Sequence, residues 1–321
     1  MSRLHQHTIG AWVALILFLS TFVCSAQDNV RFAVIGDYGV NNQTAGRVAA
    51  MVRAWQPDFI VTVGDNSYGK TTISRDAFQE DVVKYYGEYI LAPHEDPEGD
   101  NTRFFPSLGN HDYKSDGSGV ALGRVEDYNH TFAVPAGPGG HNYYQFARGP
   151  VRFFALDSNQ NPAWTGWKHD SPQAKWWRAA ISTAREPWKV VFFHHSPYHS
   201  SQPHAEDTRM RAWRFETSGV TAVLAGHAHV YERVMVGNVP FITNGLGGAR
   251  IHTFGPQPVA GSEIRYPFPS TATEKKGLYG ALFVEASNTA ITFEFWNLKG
   301  QKIDHWPPGA PALSKTPVPP P

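Results

Sequence analysis

Residues able to carry metal and proton chemistry are concentrated in five short clusters, each closing an apolar run. They are Gly36-Asp37-Tyr38-Gly39, Gly64-Asp65-Asn66-Ser67-Tyr68, Gly109-Asn110-His111-Asp112, His195-Ser196-Pro197 and Gly226-His227-Ala228-His229. Together they offer carboxylates, an amide, imidazoles and a phenol. Hard carboxylate and phenolate oxygens suit a trivalent ion, whereas imidazole and an amide oxygen suit a divalent one. A shared carboxylate allows two cations to sit about 3.5–4 Å apart in a hydrolytic centre. Asp65 is the expected bridge, because Val61-Thr62-Val63 runs into Gly64-Asp65 and a glycine there lets the chain turn sharply at the strand end. Tyr68 is expected on one of the two ions. A single Gly-Asp after a strand is usually only a turn; the recurrence is what points to a site.

In this order and spacing the clusters resemble the metallophosphoesterase superfamily, and Tyr68 is similar to the tyrosine of its purple acid phosphatase branch. That pattern reads Asp-x-Gly, Gly-Asp-x-x-Tyr, Gly-Asn-His-Asp/Glu, His-x-Pro and Gly-His-x-His. The resemblance runs from Asp37 to His229, and residues 226–233 are especially close to the family form. It implies an α/β fold in which two mixed β-sheets pack as a sandwich flanked by helices. It implies a first metal on Asp37, Asp65, Tyr68 and His229, and a second on Asp65, Asn110, His195 and His227. Fe(III) is implied at the Tyr68 site, with Fe, Zn or Mn as the divalent partner. With Asp65, two histidines are implied in catalysis: His111 near the bound phosphate, and His204, nine residues after His195, contacting substrate or protonating the leaving group. His194 is not expected as a ligand, because the motif counts from the histidine two before the proline. His194, His199 and Asp112 are expected to have supporting roles. The implied reaction is hydrolysis of small phosphate monoesters at acid pH by a metal-bound hydroxide. Diesters, nucleotides or pyrophosphate are alternative substrates for the same centre, and an inactive exported binding protein is the reading from another class.

Something must hold those clusters together. Val30 to Gly36 and Phe59 to Val63 read as buried strands flanking a helix that Asn41 or Asn42 caps and Pro57 ends, a β-α-β unit with parallel strands. Residues 75–90 read as a helix with Phe78, Val82, Tyr85 and Tyr89 on one face. Phe104 to Leu108 is a short strand, and 114–142 reads as loop. A hairpin follows (Tyr143 to Ala147, Val151 to Leu156), then a helix from Ser171 to Ala184 and a strand from Trp188 to Phe193. Thr208 to Phe215 is expected to be helical and Thr221 to Ala225 to be a strand. Tyr231 to Val236, Val239 to Thr243, Leu278 to Glu285 and Ala290 to Trp296 read as consecutive antiparallel strands, with 255–270 an irregular loop. Parallel strands are expected to place all five clusters on one sheet edge, where open α/β sheets bind ligands.

The 321 residues are 41% hydrophobic and carry a formal net charge of zero, so no general charge imbalance draws the chain to nucleic acid or an anionic membrane. Arg3, the apolar run Ile9 to Val23 and Cys24-Ser25-Ala26 read as a signal peptide over 1–26, cleaved after Ala26 for secretion or periplasmic export. A lipid anchor at Cys24 and an uncleaved anchor are the alternatives. Cys24 is the only cysteine, so the mature chain would hold no disulfide. Residues 27–306 are expected to form a single catalytic domain, and the proline-rich 307–321 a disordered tail.

Overall fold

Val30 to Ile35 is almost wholly apolar and almost wholly buried, which suits a strand covered on both faces. In the structure, a computed structural model, it is central to a sheet. Residues 29–69, 75–113, 124–160, 167–202, 204, 206–267, 277–307 and 309 are described. The expected signal peptide, and all but Pro307 and Gly309 of the expected tail, lie outside them.

Strand β1 (Val30–Ile35) leads through the helix Gln43–Ala54 to β2 (Phe59–Thr62), and the two strands pair in parallel. Asn42 caps that helix by accepting from the Ala45 N–H at 2.8 Å. Strand β3 (Phe104–Pro106) adds in parallel to β2. The hairpin β4 (Tyr144–Arg148) and β5 (Val151–Ala155) follows, then the helix Pro172–Thr183 and β6 (Trp188–His195). Next in order are β7 (Ser201–Gln202), β8 (Ala222–Gly226), β9 (Tyr231–Val236), β10 (Val239–Asn244), β11 (Thr253–Phe254), β12 (Ser262–Tyr266), β13 (Gly280–Ala286), β14 (Ile291–Asn297) and β15 (Lys302–Trp306).

Two large mixed sheets result, ordered β15-β14-β13-β1-β2-β3 and β12-β9-β10-β8-β6-β5-β4. Their facing surfaces are joined by aromatic packing: Phe153 of the second sheet meets Phe32 and Phe59 of the first edge-on, at centroid separations of 5.1 and 5.5 Å. The outer face of the second sheet is covered by Trp177, Trp213 and Phe215 around Val191, Phe193 and Val223. The expected sandwich of mixed sheets is therefore present. The clusters, however, do not share one sheet edge. β1, β2 and β3 end in the first three, while β6 and β8 belong to the second sheet. The late hairpins also divide: β9 and β10 join the second sheet, β13 and β14 the first.

Other differences have local causes. The helical run from Arg75 to Tyr89 contains a π-turn at Gln79–Val83, which adds a residue to that turn. The buried face is consequently Phe78, Val82, Tyr86 and Tyr89, with Tyr85 rotated outward. A helix, Arg124–Thr131, lies within the expected loop. Its propensities are weak, and it is held by tertiary contact, Tyr128 being fully buried with its hydroxyl donating to the Pro106 carbonyl at 2.7 Å. The helix expected over Thr208 to Phe215 is a single turn, Thr208–Arg211, followed by a 3-10 turn, Phe215–Thr217. Strand β12 lies in the expected irregular loop, because β9 offers it an edge.

Candidate metal centre

Three of the site residues, Asp37, Asp65 and His227, leave their strands with left-handed backbones, at φ of 54°, 54° and 67°. Such a conformation turns the chain abruptly and aims the side chain back over the strand end. It is uncommon outside glycine and clusters at functional sites. Main-chain bonds hold these turns against each other: Asp37 N–H donates to Gly64 O at 3.2 Å, Gly39 N–H to Asp65 O at 3.1 Å, and Tyr68 N–H to Gly39 O at 2.8 Å. The third cluster is joined to the second by the buried Asp112 carboxylate, which accepts from Gly109 N–H (2.8 Å), Asn66 N–H (3.1 Å), Ser67 N–H (3.0 Å) and the Asn66 amide (2.7 Å). Burial and the nearby Asp65 charge push Asp112 up to about 7 against those donors. Its supporting position matches the sequence reading.

Two triangles of donor atoms form at the seam between the sheets. In the first, Asp37 Oδ1 lies 3.2 Å from Tyr68 Oη and 3.2 Å from His229 Nε2, and those two lie 3.1 Å apart. In the second, Asn110 Oδ1 lies 3.0 Å from His194 Nε2 and 3.0 Å from His227 Nδ1, which are 3.3 Å apart. Asp65 stands between them. Its Oδ1 is 3.3 Å from His194 Nε2, and Asp37, Asp65 and His194 each present an atom within 4.8 Å of the others. Adjacent ligands on a six-coordinate cation with bonds of about 2.1 Å are separated by roughly 3 Å, the edge length seen in both triangles.

The histidine tautomers make the same point. His229 Nδ1 donates to the Arg250 carbonyl at 2.7 Å, and His194 Nδ1 to the Val63 carbonyl at 2.9 Å. A carbonyl only accepts, so each neutral ring turns an unprotonated Nε2 toward oxygen acceptors. A cation, or a proton on the ring, resolves that conflict. Burial raises the Asp37 carboxyl, but the His229 charge and hydrogen bond outweigh it and leave Asp37 below its usual range. Burial would lower His229, and Asp37 in turn holds it above. Burial, with Asp65 and Asp37, raises the Tyr68 phenol well above 10, a preference that a bound cation inverts. The donor set therefore fits two cations.

The structure brings both adjacent histidines to the site: the expected His195 has its ring 4.5 Å from that of His227, and His194, not expected as a ligand, lies beside Asp65 and Asn110. Along β6, Val190 and Phe192 face the other sheet while Val191 and Phe193 face the outer helices. His194 turns inward, buried beside Asp65 and Asn110, and the register of β6 on β8 shifts between Phe192 and His195, so strict alternation does not carry through the pair. His195 is bound to its own sheet. Ser158 Oγ accepts from the His195 main-chain N–H at 2.9 Å and lies 2.8 Å from its Nδ1. One of the His195 ring nitrogens lies within 4.8 Å of ligand atoms of His194 and His227. At the mouth, His111 is exposed with its ring 4.3 Å from that of Tyr68, and its N–H donates to Asp65 Oδ1 at 2.9 Å. The His204 ring lies 4.2 Å from that of His227. His252, which no motif marks, stacks on His229 at 4.0 Å.

A model of the calcineurin-like phosphoesterase family matches residues 30–231. Purple acid phosphatase 23 of Arabidopsis thaliana is 27% identical over 228 residues, covering 64% of this chain and 47% of that protein. The chain thus spans about half the length of the curated plant relatives it matches. Human tartrate-resistant acid phosphatase type 5 is 22% identical across 91% of this chain and 96% of its own. Among solved structures, the yellow lupin purple acid phosphatase PPD1 aligns with a TM-score of 0.64 at 16% identity, covering 86% of this chain and 53% of that one. GAP50 of Plasmodium aligns at 0.61 and 16% identity, covering 86% and 87%.

Proposed function

Because the chain belongs to the calcineurin-like phosphoesterase family and is purple acid phosphatase-like, we propose that it is a two-metal phosphatase hydrolysing small phosphate monoesters. The observation that carries this reading is the pair of donor triangles with Asp65 between them. Asp37, Asp65, Tyr68 and His229 would hold one cation, and Asp65, Asn110, His227 and the His194–His195 pair the other. A phenolate with two carboxylates favours Fe(III) on the Tyr68 side, and the imidazole-rich side favours Fe, Zn or Mn in the divalent state. When bound, the cations supply Lewis-acid stabilisation of phosphoryl charge and a water of lowered pKa.

The chain's own residues do the rest. The Asp65 carboxylate is held by the His111 N–H, which keeps it aimed between the two sites. His111 and His204 border the mouth, where their ring N–H groups would bind phosphoryl oxygens and His204 would pass a proton to the departing ester oxygen. The chain of main-chain bonds linking Asp37, Asp65 and Tyr68 presets the angle between ligands, so little reorganisation accompanies binding.

The test is a chromogenic phosphate monoester assayed beside metal analysis. Wild type should hold two metal ions and turn over, with a visible phenolate-to-iron band that Tyr68→Phe removes. Asp65→Ala should lose both metal retention and activity by more than about 100-fold; near-normal turnover would defeat the site. Export is supported by the leader-like residues 1–26. N-terminal sequencing of exported protein should begin at Gln27, and a start at Met1 would oppose this. Among the described residues, no helix is long and apolar enough to cross a membrane.

A further inference from the structure

The glycine-rich segment after β10 touches one metal position repeatedly. Gly247 N–H donates to Gly36 O at 3.0 Å and Ala249 N–H to Asp37 O at 2.9 Å. The Arg250 carbonyl accepts from His229 Nδ1 at 2.7 Å. His252 then grips the His229 main chain on both sides: its N–H donates to His229 O at 3.0 Å, and its ring Nδ1 accepts the His229 N–H at 3.0 Å. Its ring also lies over the His229 ring, 4.0 Å away and tilted by only 14°. His229 is thus fixed at its amide, its carbonyl, its Nδ1 and its ring face by residues 250–252. Asp37, in the same donor triangle, is fixed at its carbonyl by Ala249.

We propose that His252 is a positioning residue for the Tyr68-side cation, acting through His229. This rests on the two-metal reading. The His252 Nδ1 lone pair is spent on the His229 N–H, so that atom is not a ligand. Its work is to hold the His229 backbone and ring plane so that Nε2 reaches the triangle with Asp37 Oδ1 and Tyr68 Oη. Outer residues of this kind typically change metal affinity by about 10–100-fold when removed.

Two variants separate the components. His252→Phe keeps a ring to stack and loses the acceptor. In His252→Asn the side-chain oxygen stands where Nδ1 was and restores the acceptor. Metal-free full-length proteins would be titrated with zinc by calorimetry, with tyrosine ionisation followed by difference absorption, and thermal unfolding would confirm that each metal-free variant is folded. Wild type should take up two zinc ions. His252→Phe should weaken one of them about 10–100-fold, shift the tyrosinate signal to correspondingly higher zinc and leave the other ion in place. His252→Asn should return the affinity to within a few-fold of wild type. Two unchanged sites in a folded His252→Phe protein, or a folded His252→Asn protein as weak as His252→Phe, overturn the inference alone. Wild type that binds no zinc pair overturns the two-metal reading and this inference with it.

Discussion

At the scale of single residues, His194 and His195 show how much a one-position offset decides. They are neighbours on one strand; His194 points between the sheets at Asn110 and Asp65, while His195 meets Ser158 and packs its ring 4.5 Å from that of His227. His194→Ala should therefore weaken the cation on the Asn110 side by more than about 100-fold, since it removes a ligand and not an outer support. His195→Ala is the paired test, because that ring lies 4.5 Å from the His227 ring. Metal content after dialysis against a weak chelator compares them, and loss in His195→Ala alone would restore the motif-based assignment. The clusters that end on Gly-Asp, Gly-Asn-His-Asp or Gly-His-x-His were legible because a glycine closing a strand marks where the next side chain emerges. The histidine pair carries no such mark, and a register shift in β6 between Phe192 and His195 leaves both rings at the site.

At the scale of elements, the site consists of five strand ends held in register by close backbone approach. Gly109 is the tightest of these contacts: a Cβ there would lie 2.1 Å from Asp65 N and 2.2 Å from Asp65 Oδ1. Gly109→Ala must push the third cluster away from the second and disturb the carboxylate common to both ions. The expected cost is about 1–3 kcal/mol of stability by denaturant unfolding, together with lost metal. Unchanged stability and metal content would show that the turn has slack the geometry denies. The π-turn at 79–83 belongs to this scale too. A period-3.6 reading selects Tyr85 for the core, whereas the extra residue in that turn selects Tyr86. Nothing in the sequence announces such an insertion, because it is stabilised by what the helix packs on.

For the whole molecule, the candidate centre lies where the ends of β1, β2 and β3 meet those of β6 and β8, so its ligands come from both sheets. Cations bound there bridge the layers and stabilise the folded state by mass action. Loading at 100 times the dissociation constant contributes about 2.7 kcal/mol per site. For a chain of this size, removing one such ion should lower Tm by roughly 4 °C. Differential scanning calorimetry before and after chelation checks this, and an unchanged Tm would mean that the folded state does not hold the ions in preference to the unfolded chain. Aromatic packing such as Phe153 on Phe32 and Phe59 holds the layers without metal, so the metal-free protein should remain folded.

Taken alone, the sequence determined the buried strands, the chemistry available at their ends, and the membership of Asp37, Asp65, Tyr68, Asn110, His227 and His229 in one candidate site. These are properties of local pattern: apolar runs, glycine-closed turns and residue types that prefer cations. The tertiary structure alone decided that two sheets and not one supply the site, that His194 joins His195 there, and that His252 meets His229 from 23 positions away. Each of those depends on which face of one element meets another, and that is set by packing across the seam, which no short stretch of chain encodes.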